Sequence, residues 1–299
     1  MRRKSISTII LALVLSVFHL SGSAQTTQPN QLNKGNANTI TYHNGPIMTG
    51  TPGVYFVWYG CWTEACANGN TNTQTILYDF IQNVGGSPYF QINAMYPNMF
   101  GQAPSGALVY AGSVVDSYSH GVELSQLDIA DIVTDQIESN GLPQDPGGIY
   151  VVLASADVGS AATGFCVPST VVHHGVGDAL GSQFQYAFVG NPNRCGSVAA
   201  PQFFSRKIQL PTPNGNLAAD AMASNLAQVL SRIVTNPTGG GWFDGNGLEN
   251  ASKCIDKFGT TYTTSNGARA NLGLGGRDYL IQQNWVNDRK GHCAMNSNL

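Results

Sequence analysis

Four polar side chains and six cysteines carry most of the chemical potential of this chain. Asp157 follows the apolar run Ile149–Ala154 in Ser155-Ala-Asp157, so it falls at the carboxyl end of a buried strand. That is where α/β sheets hold ligand-binding residues. Paired with His120 or His174 it would make an acid–base couple, and Ser155 would add a hydroxyl. His120, Ser155, Asp157 and His174 are therefore the candidate polar pocket. The competing reading of Asp157 is a turn or cap, because aspartate side chains commonly bond nearby backbone. His173 and His174 are adjacent, and on a strand they point to opposite faces, so one metal ion cannot take both without a bulge. One histidine is expected at the core rim and the other in solvent.

Complete catalytic motifs are missing around these residues. No Gly-x-Ser-x-Gly follows a strand, which leaves serine hydrolysis with little support. No phosphate loop occurs, and Gly273-Leu-Gly-Gly276 follows no strand. Asp244-Gly-Asn-Gly-Leu-Glu249 departs from a calcium loop at Leu248 and Glu249 and reads as an ordinary turn. Neither a cofactor nor a metal is expected. The aromatic residues Trp58, Tyr59, Trp62 and Trp242 could stack on sugar rings beside Asn and Gln amides, although core packing is the commoner fate of such side chains.

The cysteines are Cys61, Cys66, Cys166, Cys195, Cys254 and Cys293. No C-x-x-C appears and the spacings match no zinc finger, so they read as disulfides in an exported chain. Fifteen pairings are formally possible, and nearest-neighbour pairing is expected because it keeps each bridge local. Export itself is read from the first residues. Arg2, Arg3 and Lys4 precede the short apolar run Ile9–Val17, and Gly22-Ser23-Ala24 offers small residues for cleavage between Ala24 and Gln25. That run is too short to span a bilayer. The mature chain would carry a formal charge of −6, from the −3 of the full sequence less three basic residues.

Charged residues make up only 10% of the chain and no basic stripe occurs, which argues against a nucleic-acid partner. Hydrophobic residues at 42% supply a sizeable core. Residues 25–41 are polar and aperiodic, as in a flexible arm. Strands are expected at 53–59, 107–115, 149–154, 165–173 and 184–189, and helices at 73–84, 125–139, 216–235 and 277–285. Ser125 and Asp128 form a capping box for the second of these helices. Strands alternating with helices make residues 42–299 one α/β domain, a mixed or largely parallel sheet flanked by helices and stapled by disulfides.

Several stretches bear a resemblance in one order. Tyr42–Gly50, Val54–Gly60 with Trp62, Tyr118-Ser-His-Gly121, Val152–Val158 with Gly164-Phe-Cys166, and Tyr186–Asn191 with Cys195 resemble the EXORDIUM-like, or phosphate-induced protein 1, family. The likeness continues through Pro213-Asn-Gly215, Asn225-Leu-Ala227, Thr235-Asn-Pro237, Gly241-Trp-Phe243 and Gly276-Arg277 to Cys293. Plant members carry further cysteines after the positions of Cys166 and Cys195; their absence here implies that these two pair. Cys61 and Cys66 lie outside the family pattern, as a private bridge would. The resemblance implies an exported or cell-wall-associated protein, linked in plants to growth and cell expansion, without established catalytic activity.

A second likeness is weaker. Thr235-Asn-Pro237 through Cys254 resembles the segment after the catalytic helix of some secreted zinc peptidases, which would make the chain a degenerate zincin-like α+β scaffold. That alignment sets Gln228, Val229 and Arg232 where two ligating or catalytic residues and a further glutamate would stand, and none can serve. The favoured function is a secreted, non-catalytic protein that binds an extracellular glycan, wall polymer or protein partner; a secreted hydrolase is the alternative. Whether Asn250-Ala-Ser252 is glycosylated stays open at this stage.

Overall fold

The computed structural model describes residues 39–63, 66, 71–159, 172–194 and 211–297. The expected leader, most of the arm, Cys166, Cys195 and residues 165–171 lie outside the described residues. The chain runs through β1 (Thr41–Tyr42), β2 (Gly53–Tyr59), α1 (Thr71–Val84), a 3-10 helix (Phe90–Met95), β3 (Val109–Asp116), α2 (Gln126–Glu138), β4 (Ile149–Ala154), β5 (Val172–Ala179), β6 (Ser182–Val189) and α3 (Leu217–Thr235). Short strands follow: β7 (Trp242–Phe243), β8 (Tyr262–Thr263), β9 (Arg269–Ala270), β10 (Leu272–Leu274), β11 (Arg277–Tyr279), β12 (Asn284–Val286) and β13 (His292–Ala294).

Five strands form the central sheet in the order β3-β2-β4-β6-β5. β3, β2, β4 and β6 are parallel, and β5 closes one edge antiparallel to β6. β2 and β4 are apolar at nearly every position because both sheet faces are covered. Val54, Phe56, Trp58, Ile149, Val151 and Leu153 pack with α1 and α3 on one face. The alternate residues Tyr55, Val57, Tyr59, Tyr150 and Val152 pack with α2 on the other. From β2 the chain steps outward to β3, then back past β2 to β4. Crossovers of one hand that step in opposite directions put their helices on opposite faces, as α1 and α2 are.

Local chemistry sets the helix ends. Ser125 accepts the Asp128 N–H while Asp128 accepts the Ser125 N–H, so the expected capping box is present. Asn216 caps α3 by accepting from the Ala219 N–H at 3.1 Å.

Two expectations need correcting. The helix expected at 277–285 is instead β11 and β12, each in a hairpin. Gly275 and Gly276, with φ of 56° and 82°, form a two-residue turn between Leu274 and Arg277, and this turn chemistry overrides the apolar spacing. Of the strand expected at 165–173 only Val172 and His173 are described, and the strand they open, Val172–Ala179, runs on past the expected end. Two of the expected bridges, Cys61–Cys66 and Cys254–Cys293, are formed.

Candidate functional site

The crossovers on either side of β3 step across the sheet in opposite directions, which opens a crevice between the carboxyl ends of β2 and β4, and Ser155 ties the two ends together. Its N–H donates to the Tyr59 carbonyl at 2.9 Å, and its Oγ accepts the Cys61 N–H at 3.1 Å. Gly60 makes this approach possible. Its φ is 96°, and a Cβ there would collide with Ser155 Oγ.

Ser155 Oγ then donates to Asp157 Oδ1 at 2.6 Å, and the Tyr118 phenol donates to Oδ2. Arg194 donates to the Asp157 main-chain carbonyl at 2.6 Å and pairs with Glu123. Burial opposes a charge on Asp157, but the bonds from Ser155 and Tyr118 prevail and hold its carboxyl below the usual range. Burial, then the bond to Asp157, pushes the Tyr118 phenol up. At neutral pH the site is thus a carboxylate held between two hydroxyl donors.

His120 is placed elsewhere. Its main-chain N–H donates to the Tyr59 hydroxyl at 2.9 Å, and its ring meets Asp135 at 2.9 Å and Asp128 at 3.8 Å. It therefore addresses α2 and not Asp157.

His173 and His174 point to opposite faces of β5, as their adjacency requires. His173 stacks on Phe188 with ring centroids 5.5 Å apart, and both of its ring nitrogens are buried without a hydrogen-bond partner. Burial, reinforced by Arg232 and His174, lowers its pKa to about 4. His174 is not in solvent, contrary to expectation: its Nε2 lies 3.0 Å from Glu249 Oε1. Glu249 also accepts from Asn236 Nδ2 at 2.8 Å and lies 3.8 Å from Arg232 Nε. Burial opposes the Glu249 charge, but His174 and Arg232 hold it below the usual range. The candidate residues thus divide into Ser155–Asp157, His120 with the α2 carboxylates, and His174–Glu249. Sequence reasoning missed Tyr118, Arg194 and Glu249 as partners. Their contacts bridge 39, 37 and 75 positions, and no local pattern encodes them.

The α3 residues aligned with zinc-peptidase positions have other roles. Gln228 donates to the Ala251 carbonyl at 3.4 Å, Val229 is core, and Arg232 donates to the Val172 carbonyl at 3.3 Å. Among the described residues no group of three His, Cys, Asp or Glu side chains is arranged to hold a metal ion. Asp244 accepts the N–H groups of Asn246 and Leu248 at 2.8 and 3.0 Å, as an ordinary turn residue does. Trp58, Tyr59 and Trp62 are buried packing elements, and half-buried Trp242 packs between Tyr42 and Tyr96. Asn250 is fully buried and donates to Asn93 Oδ1 at 3.0 Å, which shields its amide from glycosylation in this fold.

A family model for the phosphate-induced protein 1 conserved region matches residues 40–295, the whole of the sheet and its flanking elements. The chain belongs to this family. Among curated relatives, EXORDIUM-like 5 of Arabidopsis thaliana is 26% identical, covering 88% of this chain and 80% of the relative. EXORDIUM-like 3 of the same plant is 27% identical, covering 89% and 86%. PHOSPHATE-INDUCED 1 of Nicotiana tabacum is 28% identical, covering 72% and 71%. No solved structure matches the chain. Within this EXORDIUM-like chain, the stretches Tyr118–Gly121 and Val152–Val158 that carry the resemblance meet at the β2–β4 opening, through the Tyr118–Asp157 bond.

Proposed function

We propose that this EXORDIUM-like chain is exported, loses residues 1–24, and acts outside the cell by holding a glycan, wall polymer or protein partner without turning it over. One observation carries the reading. Where an α/β sheet would assemble a reacting centre, Ser155 donates a hydrogen bond to Asp157 and accepts the Cys61 N–H, and Tyr118 occupies the other carboxylate oxygen. A serine nucleophile needs a base to take its proton, most often a histidine. Here the candidate histidines, His120 and His174, are committed to other carboxylates. The group reads as a brace that fixes the β2–β4 opening.

The low charge supports the same reading, because recognition then rests on hydrogen bonding and apolar contact. The test is a glycan array and a pull-down from wall fractions, together with turnover assays on peptide, ester and glycoside panels. Binding without turnover, unchanged in Ser155→Ala, is the expected result. Turnover that disappears in Asp157→Asn would overturn the proposal.

A further inference from the structure

At the end of the sheet opposite Asp157 lies a cavity of about 430 Å³, within the ordinary size range of ligand pockets. The parallel strands begin here. α3 ends at Thr235, Asn236 accepts the Gly241 N–H at 2.7 Å, and Pro237 cannot continue the helix. The segment 46–52 crosses the helix end, fastened by the Met48 N–H to the Val234 carbonyl at 3.0 Å and by Ser105 Oγ to the Gly50 carbonyl at 2.9 Å. It spans the space beyond the helix without filling it.

Along β6, Ala187 and Val189 lie in the core under α3. Gln185 and Gln183, on the same face by the period of the strand, line the cavity where α3 no longer covers them. Buried Pro52 and Pro237 and half-buried Met48 supply apolar surface, and exposed Thr49, Thr51 and Thr238 supply hydroxyls at the rim. No lining residue is charged. Gln183 is exposed and Gln185 half-buried, so amide side chains line this stretch of the cavity, while Gln185 Oε1 itself is sealed in the wall.

We infer that this cavity binds a neutral saccharide unit, with sugar hydroxyls meeting the amides of Gln183 and Gln185 and the rim hydroxyls, and a C–H face of the ring resting on Met48. The chemistry matches on each count: no charge, several hydroxyl and amide partners, and apolar surface of limited size. An extended peptide fits less well, since strand addition requires a free sheet edge. β6 is an inner strand, covered on that side by β5. The inference rests on the glycan-binding reading above and gives it a location.

The test is calorimetric and NMR titration of the full mature protein with neutral trisaccharides of glucose, xylose, mannose and galactose, at low and high salt. Two variants locate the site. Gln185→Leu removes a cavity-lining amide at similar volume. Gly50→Phe places a ring at a cavity-lining position where an added Cβ meets nothing within 4 Å. Saturable, salt-insensitive binding, weakened about tenfold in Gln185→Leu and lost in Gly50→Phe with thermal stability retained, is the expected result. Binding left intact in both variants would overturn the location while leaving a glycan-binding function standing. Absence of binding to every sugar, or binding of neutral peptides instead, would overturn the saccharide assignment; the wall-fraction pull-down tests the broader reading separately. Cleavage of a bound sugar would overturn the non-catalytic reading alone.

Discussion

Asp157 stays ionised because two hydroxyls point their protons at it, and the consequences can be measured. Its carboxyl is depressed in the fold, so its contribution to stability is present above its unfolded pKa of about 4 and is lost as pH falls through the folded value. Asp157→Asn keeps the size but weakens both bonds, and is expected to cost about 1–2 kcal/mol in urea unfolding near neutral pH. His173 acts over a higher range. Its folded value of about 4 lies below the ordinary 6.5, so the unfolded chain takes up a proton that the folded chain refuses. Stability should therefore fall as pH drops from about 6.5 towards 4, by roughly 2–3 kcal/mol from this group, and level off below. His173→Phe, which preserves the stack on Phe188, should flatten that part of the curve; an unchanged slope would contradict the assignment. At this scale the sequence exposed Asp157, because an apolar strand runs straight into Ser155-Ala-Asp157. It could not expose Tyr118 or Arg194, which reach the same residue from other segments.

Elements whose ends carry strong local chemistry were the legible ones. Ser125 with Asp128 marked α2 closely because capping is a short-range hydrogen-bond pattern, and the apolar period ended by Asn236-Pro237 marked α3. The 277–285 region misled because Tyr279, Leu280, Ile281 and Trp285 are buried in a hairpin context whose turn, Gly275-Gly276, outweighs their spacing. A buried amide knot also escaped notice. Asn93 Oδ1 accepts from Asn250 and Asn284, each at 3.0 Å, and Asn93 Nδ2 reaches Ser231 at 3.4 Å. This knot joins the 3-10 helix at 90–95, α3 and β12, and its members are almost completely sealed from solvent. Asn93→Ala would leave two buried amides short of an acceptor and should cost about 3–5 kcal/mol, seen as a lower urea midpoint at unchanged slope. Gly60→Ala should be similarly damaging, about 2 kcal/mol or more, because it combines a left-handed backbone with a collision at Ser155.

For the whole molecule, the pattern of alternating strands and helices was enough to give a single α/β body with a mixed sheet. Strand order was not, since nothing local says which strands become neighbours. The Cys254–Cys293 bridge fastens the β12–β13 hairpin to the segment after α3, and closing that loop is worth about 4 kcal/mol by chain entropy. Cys293→Ser paired with Cys254→Ser should lower stability by an amount of that order. The central claim is that this molecule recognises a neutral extracellular ligand and leaves it intact. Its most direct test is a titration of the mature protein against neutral wall oligosaccharides at low and high ionic strength, with the ligand recovered and weighed by mass spectrometry afterwards. Saturable binding of the same strength in both salts, with every oligosaccharide returned at its starting mass, is the predicted result; binding that collapses with salt, or recovered fragments of the ligand, would contradict it.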